Sequence, residues 1–173
     1  MSGPVNLPDP LGVAVIHVES AREMLHAVES ALPADVAIFA AAVADWRVAN
    51  AGEQKIKKRA GQATPEFSLT ENPDILSTIA HRKSQRPTLV IGFAAETENV
   101  AANARDKLKR KGCDWILAND VSPQTGIMGG DSNTIQLVTA KGVEAWPPQS
   151  KDDVAAMLIA RVAQALQALK DKP

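Results

Sequence analysis

Cationic side chains recur in this chain at spacings that suit neutralisation of a polyphosphate. In "KIKK", Lys55 and Lys57 share one face of an extended segment, while Ile56 and Lys58 share the other. Lys107 and Lys111 lie one helical turn apart and flank the apolar stripe Val100, Ala104 and Leu108. Asp45 closes the small-residue run "FAAAVAD", where its carboxylate can accept from a ribose hydroxyl or a base amino group, or help to position a metal. In "ENPDIL", Asn72 has the chemistry of an N-cap and Pro73 that of a first helical residue, which leaves backbone donors facing outward for an anion. Each feature also has a plainer account. A lysine-rich loop is ordinarily a solvated surface, "NPD" is simply a good helix start, and Asp45 can cap a turn. Lys107, Lys109, Arg110 and Lys111 near a helix C-terminus complement the helix dipole without any ligand.

The elements that would position these groups follow from periodicity. "VAVIHV" (13–18) reads as a strand, and Ser20 with Glu23 forms a capping box for a helix to about Leu32. "VAIFAAAVA" (36–44) is nearly continuously apolar, as expected of a strand covered on both faces of a parallel sheet. "EFSL" adds a short strand, a helix runs from Pro73 to about Arg82, and "TLVIGFAA" is the next buried strand. Thr97 opens a helix that Gly112 stops after Lys111, and "DWILAND" (114–120) is a further strand. "TIQLVT" and "VEAW" form a hairpin about Lys141-Gly142 at one edge, and Ser150 with Asp153 starts a final helix to about Lys170. Strands alternating with helices predict a single three-layer, Rossmann-like α/β domain over residues 1–173, with a mostly parallel sheet and an edge hairpin. Ligands of such sheets sit beyond the carboxyl ends of the strands. Here those ends are Ala44-Asp45-Trp46, Phe93-Ala94-Ala95-Glu96 and Asn119-Asp120-Val121-Ser122.

The bulk composition narrows the function. Nineteen Lys+Arg against 20 Asp+Glu leave a formal charge of -1, so no global field draws in nucleic acid or an anionic membrane, and any anion site is local. No apolar run approaches the roughly 18 residues of a transmembrane span, and the N-terminus lacks signal-peptide character. With the single Cys113, these features predict a soluble, cytoplasmic protein without internal disulfides. Neither GxGxxG nor GxxxxGK[ST] occurs; Gly126, Gly129 and Gly130 have the wrong spacing. His17, His26 and His81 cluster neither with one another nor with Cys113, so no metal ligands and no Cys-His dyad are assigned. Phe93 and Cys113 read most simply as core.

Taken in order, "SGPVNLP", "AAVADW", "KIKK", "ENPDIL", "IGFAAET" with Lys107 and Lys111 behind it, "NDVS" and "GGDSN" resemble bacterial phosphopantothenoylcysteine synthetase, the phosphopantothenate–cysteine ligase of coenzyme A biosynthesis. The resemblance covers the chain from Ser2 onward. It implies a Rossmann-like homodimer, usually fused behind a flavin-dependent decarboxylase, with no flavin bound by this domain. It also implies CTP, with Mg²⁺, activating 4'-phosphopantothenate as an acyl-cytidylate that free cysteine then attacks. Carried onto this chain, it makes Lys55 the catalytic lysine near the reacting phosphate and Asp45 a nucleotide contact. Pro73, Asp74, Ile75 and Leu76 become the lining of the nucleotide site, Phe93 its aromatic residue, and Lys107 and Lys111 contacts to the triphosphate. Family members carry a first strand-helix unit ahead of the residues present here. The resemblance therefore implies an N-terminally shortened form with the nucleotide half of the site present and the acyl-substrate half incomplete, or a non-catalytic CTP-binding or dimerisation fragment.

Overall fold

A computed structural model of the chain describes residues 1–50, 66–122 and 132–171. They divide into two compact units, one of Met1–Val28 with Ala41–Ile75 and one of Glu29–Ala40 with Leu76–Pro173.

The larger unit is organised by a five-stranded sheet in the order β1-β4-β5-β7-β8. Its strands are β1 (Val36–Phe39), β4 (Leu89–Glu96), β5 (Trp115–Asp120), β7 (Ile135–Thr139) and β8 (Gly142–Ala145). Strands β1, β4 and β5 are parallel; β7 joins β5 antiparallel, and β8 pairs antiparallel with β7 to form the expected hairpin at the edge. The apolar sequence of β4 is explained by its two covered faces. Val90 and Ala94 pack with Ala104 and Leu108 of α3 (Val100–Lys111) and with Ala80 of α2 (Ile75–Ala80). Leu89 and Ile91 pack with Val154, Leu158 and Val162 of α4 (Lys151–Lys170). Helices thus lie on both sides of the sheet, giving the three layers read from the sequence.

Gly92 belongs to the α2/α3 face, where a Cβ would lie 2.5 Å from Leu76 Cδ2. The missing side chain is what lets Leu76 seat against β4. Gly112 ends α3 as expected: at φ +65° its N–H donates to the Leu108 carbonyl. The Ser150 hydroxyl accepts from the Asp153 N–H at 3.0 Å and starts α4.

At the amino ends of the parallel strands a polar clasp replaces apolar packing. Asp114 Oδ2 accepts from the Val90 N–H at 2.7 Å and from Arg86 Nη2 at 3.0 Å, and Arg86 also donates to the carbonyls of Ala80 and Pro87.

The smaller unit contains most of α1 (Ala21–Ser30) and the antiparallel ribbon of β2 (Trp46–Val48) and β3 (Leu69–Glu71). The Ser20 hydroxyl accepts from the Glu23 N–H at 3.2 Å, and the Glu23 carboxylate accepts from the Glu19 N–H at 2.8 Å, the capping arrangement expected here.

Four sequence expectations are corrected. Residues 13–18 form no full strand; Ser2 and His17 make an isolated parallel bridge, and Val13 stays 62% exposed, so no second face holds the run extended. The strand expected over 36–44 stops at Phe39, because Ala40–Ala42 and Ala44 are exposed and their small side chains gain little from burial. The strand expected at "EFSL" falls instead at Leu69–Glu71. The helix expected from Pro73 begins at Ile75, because the Asn72 side chain is engaged elsewhere.

Candidate functional site

In the smaller unit Asn72 ties the end of the 36–45 run to the start of the "NPD" segment. Its Nδ2 donates to the Ala44 carbonyl at 2.8 Å, and its own N–H donates to the Asp45 carbonyl at 2.8 Å. Arg47 donates to the Asn72 side-chain oxygen and to the Glu71 carbonyl. The backbone of Asp45 is thereby fixed while its carboxylate is left exposed. Pro73 is half-buried, Asp74 exposed and Ile75 buried. Asp45, Pro73, Asp74 and Ile75 are thus brought into one unit by the bonds of Asn72, a residue the sequence suggested only as a helix cap.

In the larger unit the carboxyl ends of β4 and β5 form a rim. Glu96 and Asp120 are register partners there, and the Val121 N–H donates to the Glu96 carbonyl at 2.8 Å. The Ser122 N–H donates to Asp120 Oδ1 at 2.8 Å, and bonds from Ser122 hold the Asp120 carboxyl below its ordinary range. Phe93 is half-buried and packs with the α4-side cluster. Lys107 and Lys111 stand on α3, on the other side of the sheet, where both are half-buried. Leu76, also a candidate, packs into the α3-side core over Gly92. Lys55, like Lys57 and Lys58, lies outside the described residues, as does most of "GGDSN".

Burial, the largest cause, holds the Lys107 ammonium below the usual lysine range; Glu96 opposes this and Lys111 and Arg110 reinforce it. The part of the arrangement missed from sequence is Asn103, whose Nδ2 donates to Glu96 Oε2 at 3.2 Å and to the Glu98 carbonyl at 3.0 Å. No local signal in the sequence marks it.

A cavity of about 400 Å³ in the smaller unit is lined by Gly3, Pro4, Val5, His17, Val18, Glu19 and Glu23, and none of the candidate residues borders it. Among the described residues no group of three or more His, Cys, Asp or Glu side chains could hold a metal, and no helix is long and apolar enough to cross a membrane.

A partly parallel sheet between helical layers, with polar groups gathered at its carboxyl rim, defines an α/β protein of the class that takes ligands at that rim. Residues 1–166 match the DNA/pantothenate metabolism flavoprotein C-terminal domain, and the chain belongs to that family. It is 44% identical over 168 residues to the coenzyme A biosynthesis bifunctional protein CoaBC of Haemophilus influenzae, covering 96% of this chain and 41% of that protein. Against the protein of the same name from Escherichia coli K12 it is 40% identical over 161 residues, or 92% of this chain and 39% of that one. The chain therefore spans about two fifths of the length of these relatives. A crystal structure of the C-terminal domain of CoaBC superposes with a TM-score of 0.75 at 33% identity, over 96% of this chain and 72% of that one. The DNA/pantothenate metabolism flavoprotein of Streptococcus pneumoniae, at 20% identity and a TM-score of 0.70, shares the fold.

Proposed function

We propose that the chain is the phosphopantothenate–cysteine ligase portion of a coenzyme A biosynthesis protein, acting with CTP and Mg²⁺ in the cytoplasm. The observation that carries this reading is the match of residues 1–166 to the C-terminal domain of that family. A carboxylate oxygen of 4'-phosphopantothenate attacks the α-phosphorus of CTP, and the bond to the bridging oxygen breaks, releasing pyrophosphate. The cysteine amine, losing a proton, then attacks the acyl carbon; the bond to the CMP oxygen breaks, leaving the amide and CMP.

The first step brings two anions together and then moves charge onto the leaving group, so fixed cations that follow that charge lower its barrier. Lys55, Lys107 and Lys111 serve that purpose, with Asp45 on the sugar or base and Pro73, Asp74, Ile75, Leu76 and Phe93 lining the nucleotide. Mg²⁺ bound with the nucleotide would neutralise phosphate charge. In this reading the protein is a homodimer, accompanied by a flavin-dependent decarboxylase domain, and itself binds no flavin.

The test is pyrophosphate release with CTP, 4'-phosphopantothenate and cysteine together, in the chain and in Lys55→Ala. Release that falls on the order of 10²-fold in the variant, with unchanged thermal unfolding, is the expected result; equal release rejects the assignment. A second reading is a CTP-binding or dimerisation fragment without ligase activity. CTP binding without pyrophosphate release would select it.

A further inference from the structure

Arg47 lies in β2, two residues beyond Asp45, and is half-buried. Its Nη1 donates to the Glu71 carbonyl and, at 3.4 Å, to Asn72 Oδ1. Asn72 in turn bonds the carbonyls of Ala44 and Trp46, on either side of Asp45. The guanidinium is therefore held one side chain away from the Asp45 backbone, and neither of its acceptors is a carboxylate. The other arginines that make side-chain bonds among the described residues each meet one: Arg82 pairs with Glu29, Arg86 with Asp114 and Arg161 with Glu144. Arg47 thus differs from them in keeping its charge unneutralised. Its Nε and Nη2 make no bond among the described residues. Those two nitrogens form the side-on edge of the planar group, with parallel N–H donors that match the two oxygens of a carboxylate or phosphate. Because Nη1 already fixes the plane, the fork loses little freedom when an oxyanion arrives.

The chemistry of the ligation selects among oxyanions. The acyl carboxylate must keep a lone pair free to attack phosphorus, and a triphosphate is met by lysine point charges. The α-carboxylate of cysteine takes part in neither bond change, is planar, and survives into the amide product.

Resting on the ligase reading above, we propose that Arg47 is a specificity-determining residue whose Nε–Nη2 edge binds the α-carboxylate of the amino-acid substrate.

The test compares cysteine with cysteamine, which carries the same amine and thiol but no carboxylate. Amide formation with saturating CTP and 4'-phosphopantothenate gives kcat/KM for each amine. In Arg47→Ala the preference for cysteine over cysteamine should fall on the order of 10- to 100-fold, through KM for cysteine. Arg47→Lys, which keeps the cation without the fork, should recover only part of that preference. An unaltered preference, or a loss shared equally by the two amines as a purely structural role would give, overturns the proposal. A second readout needs only the unaltered fold: the Arg47 Nε–H signal in ¹⁵N NMR, assigned with Arg47→Lys, should shift on titration with cysteine and not with cysteamine. Equal responses, or none, overturn it as well. Absence of amide formation with either amine in the unaltered chain would reject the ligase reading instead, while the Nε–H titration still decides whether Arg47 takes a carboxylate.

Discussion

The Asn72 N–H donates to the Asp45 carbonyl at 2.8 Å, so the candidate acid and the "NPD" segment are joined through backbone as well as through the Asn72 side chain. Asn72→Ala keeps the backbone bond and loses the side-chain bonds to Ala44 and Trp46 and from Arg47. These bonds are largely exposed, so a loss of about 1 kcal/mol in urea unfolding is expected. If Asp45 contacts the nucleotide, KM for CTP rises with little change in kcat. A variant with unaltered KM would remove Asp45 from the site.

Gly92→Ala places a methyl group 2.5 Å from Leu76 Cδ2 and 3.0 Å from Ile116 Cδ1. Because Leu76 can rotate but Ile116 is fully buried, the cost is about 1–3 kcal/mol. Adding Leu76→Ala to Gly92→Ala should cost less than the sum of the two single changes, since the smaller residue frees the space the methyl needs. Chemical denaturation of the four proteins measures the coupling, and strict additivity would refute the contact.

Asp114→Ala removes the acceptor of the Val90 N–H and the partner of Arg86. The side chains are partly exposed, which screens the charge, and Arg86 keeps its backbone acceptors, so a loss of about 2 kcal/mol is expected, chiefly from the orphaned Val90 N–H. The clasp stands at the strand beginnings, so on the proposed nucleotide reading CTP affinity should be unchanged in calorimetric titration, and a weakened affinity would count against a site at the carboxyl rim.

Cys113 is buried, and burial pushes its thiol from the ordinary 9.0 up to about 11. A group whose pKa is raised on folding contributes stability that is fully present below pH 9 and is lost as pH climbs from about 9 to about 11. Unfolding free energy should therefore decline over that interval in the wild type and less steeply in Cys113→Ala. Labelling by a thiol reagent at pH 8 should be slow in the native protein and fast in urea.

Much of this architecture was legible because local signals agreed with tertiary burial. The Val100, Ala104 and Leu108 stripe, the Gly112 stop and the Ser150 cap all lie where their chemistry predicts. The misreadings share a cause. Residues 13–18 and 40–44 are apolar in sequence, yet a strand also needs a paired neighbour and a covered face, neither of which periodicity reports. The role of Asn72 is not legible locally, because the side-chain oxygen that would cap a helix accepts from Arg47 while its Nδ2 donates to carbonyls 26 and 28 residues away. Asn103 gives no sign of its role in the sequence, because its bond to Glu96 depends on where β4 ends relative to α3.

The Arg86–Asp114 clasp and the Glu96–Asp120 pair occupy opposite poles of the same two strands. Along β4, from Val90 to Glu96, the poles are about 20 Å apart at roughly 3.3 Å per residue, well past the roughly 10 Å within which substitutions influence one another. Variant libraries made separately at the two poles should combine without mutual interference, so the scaffold can be hardened at the Arg86–Asp114 pole without disturbing the Glu96–Asp120 rim.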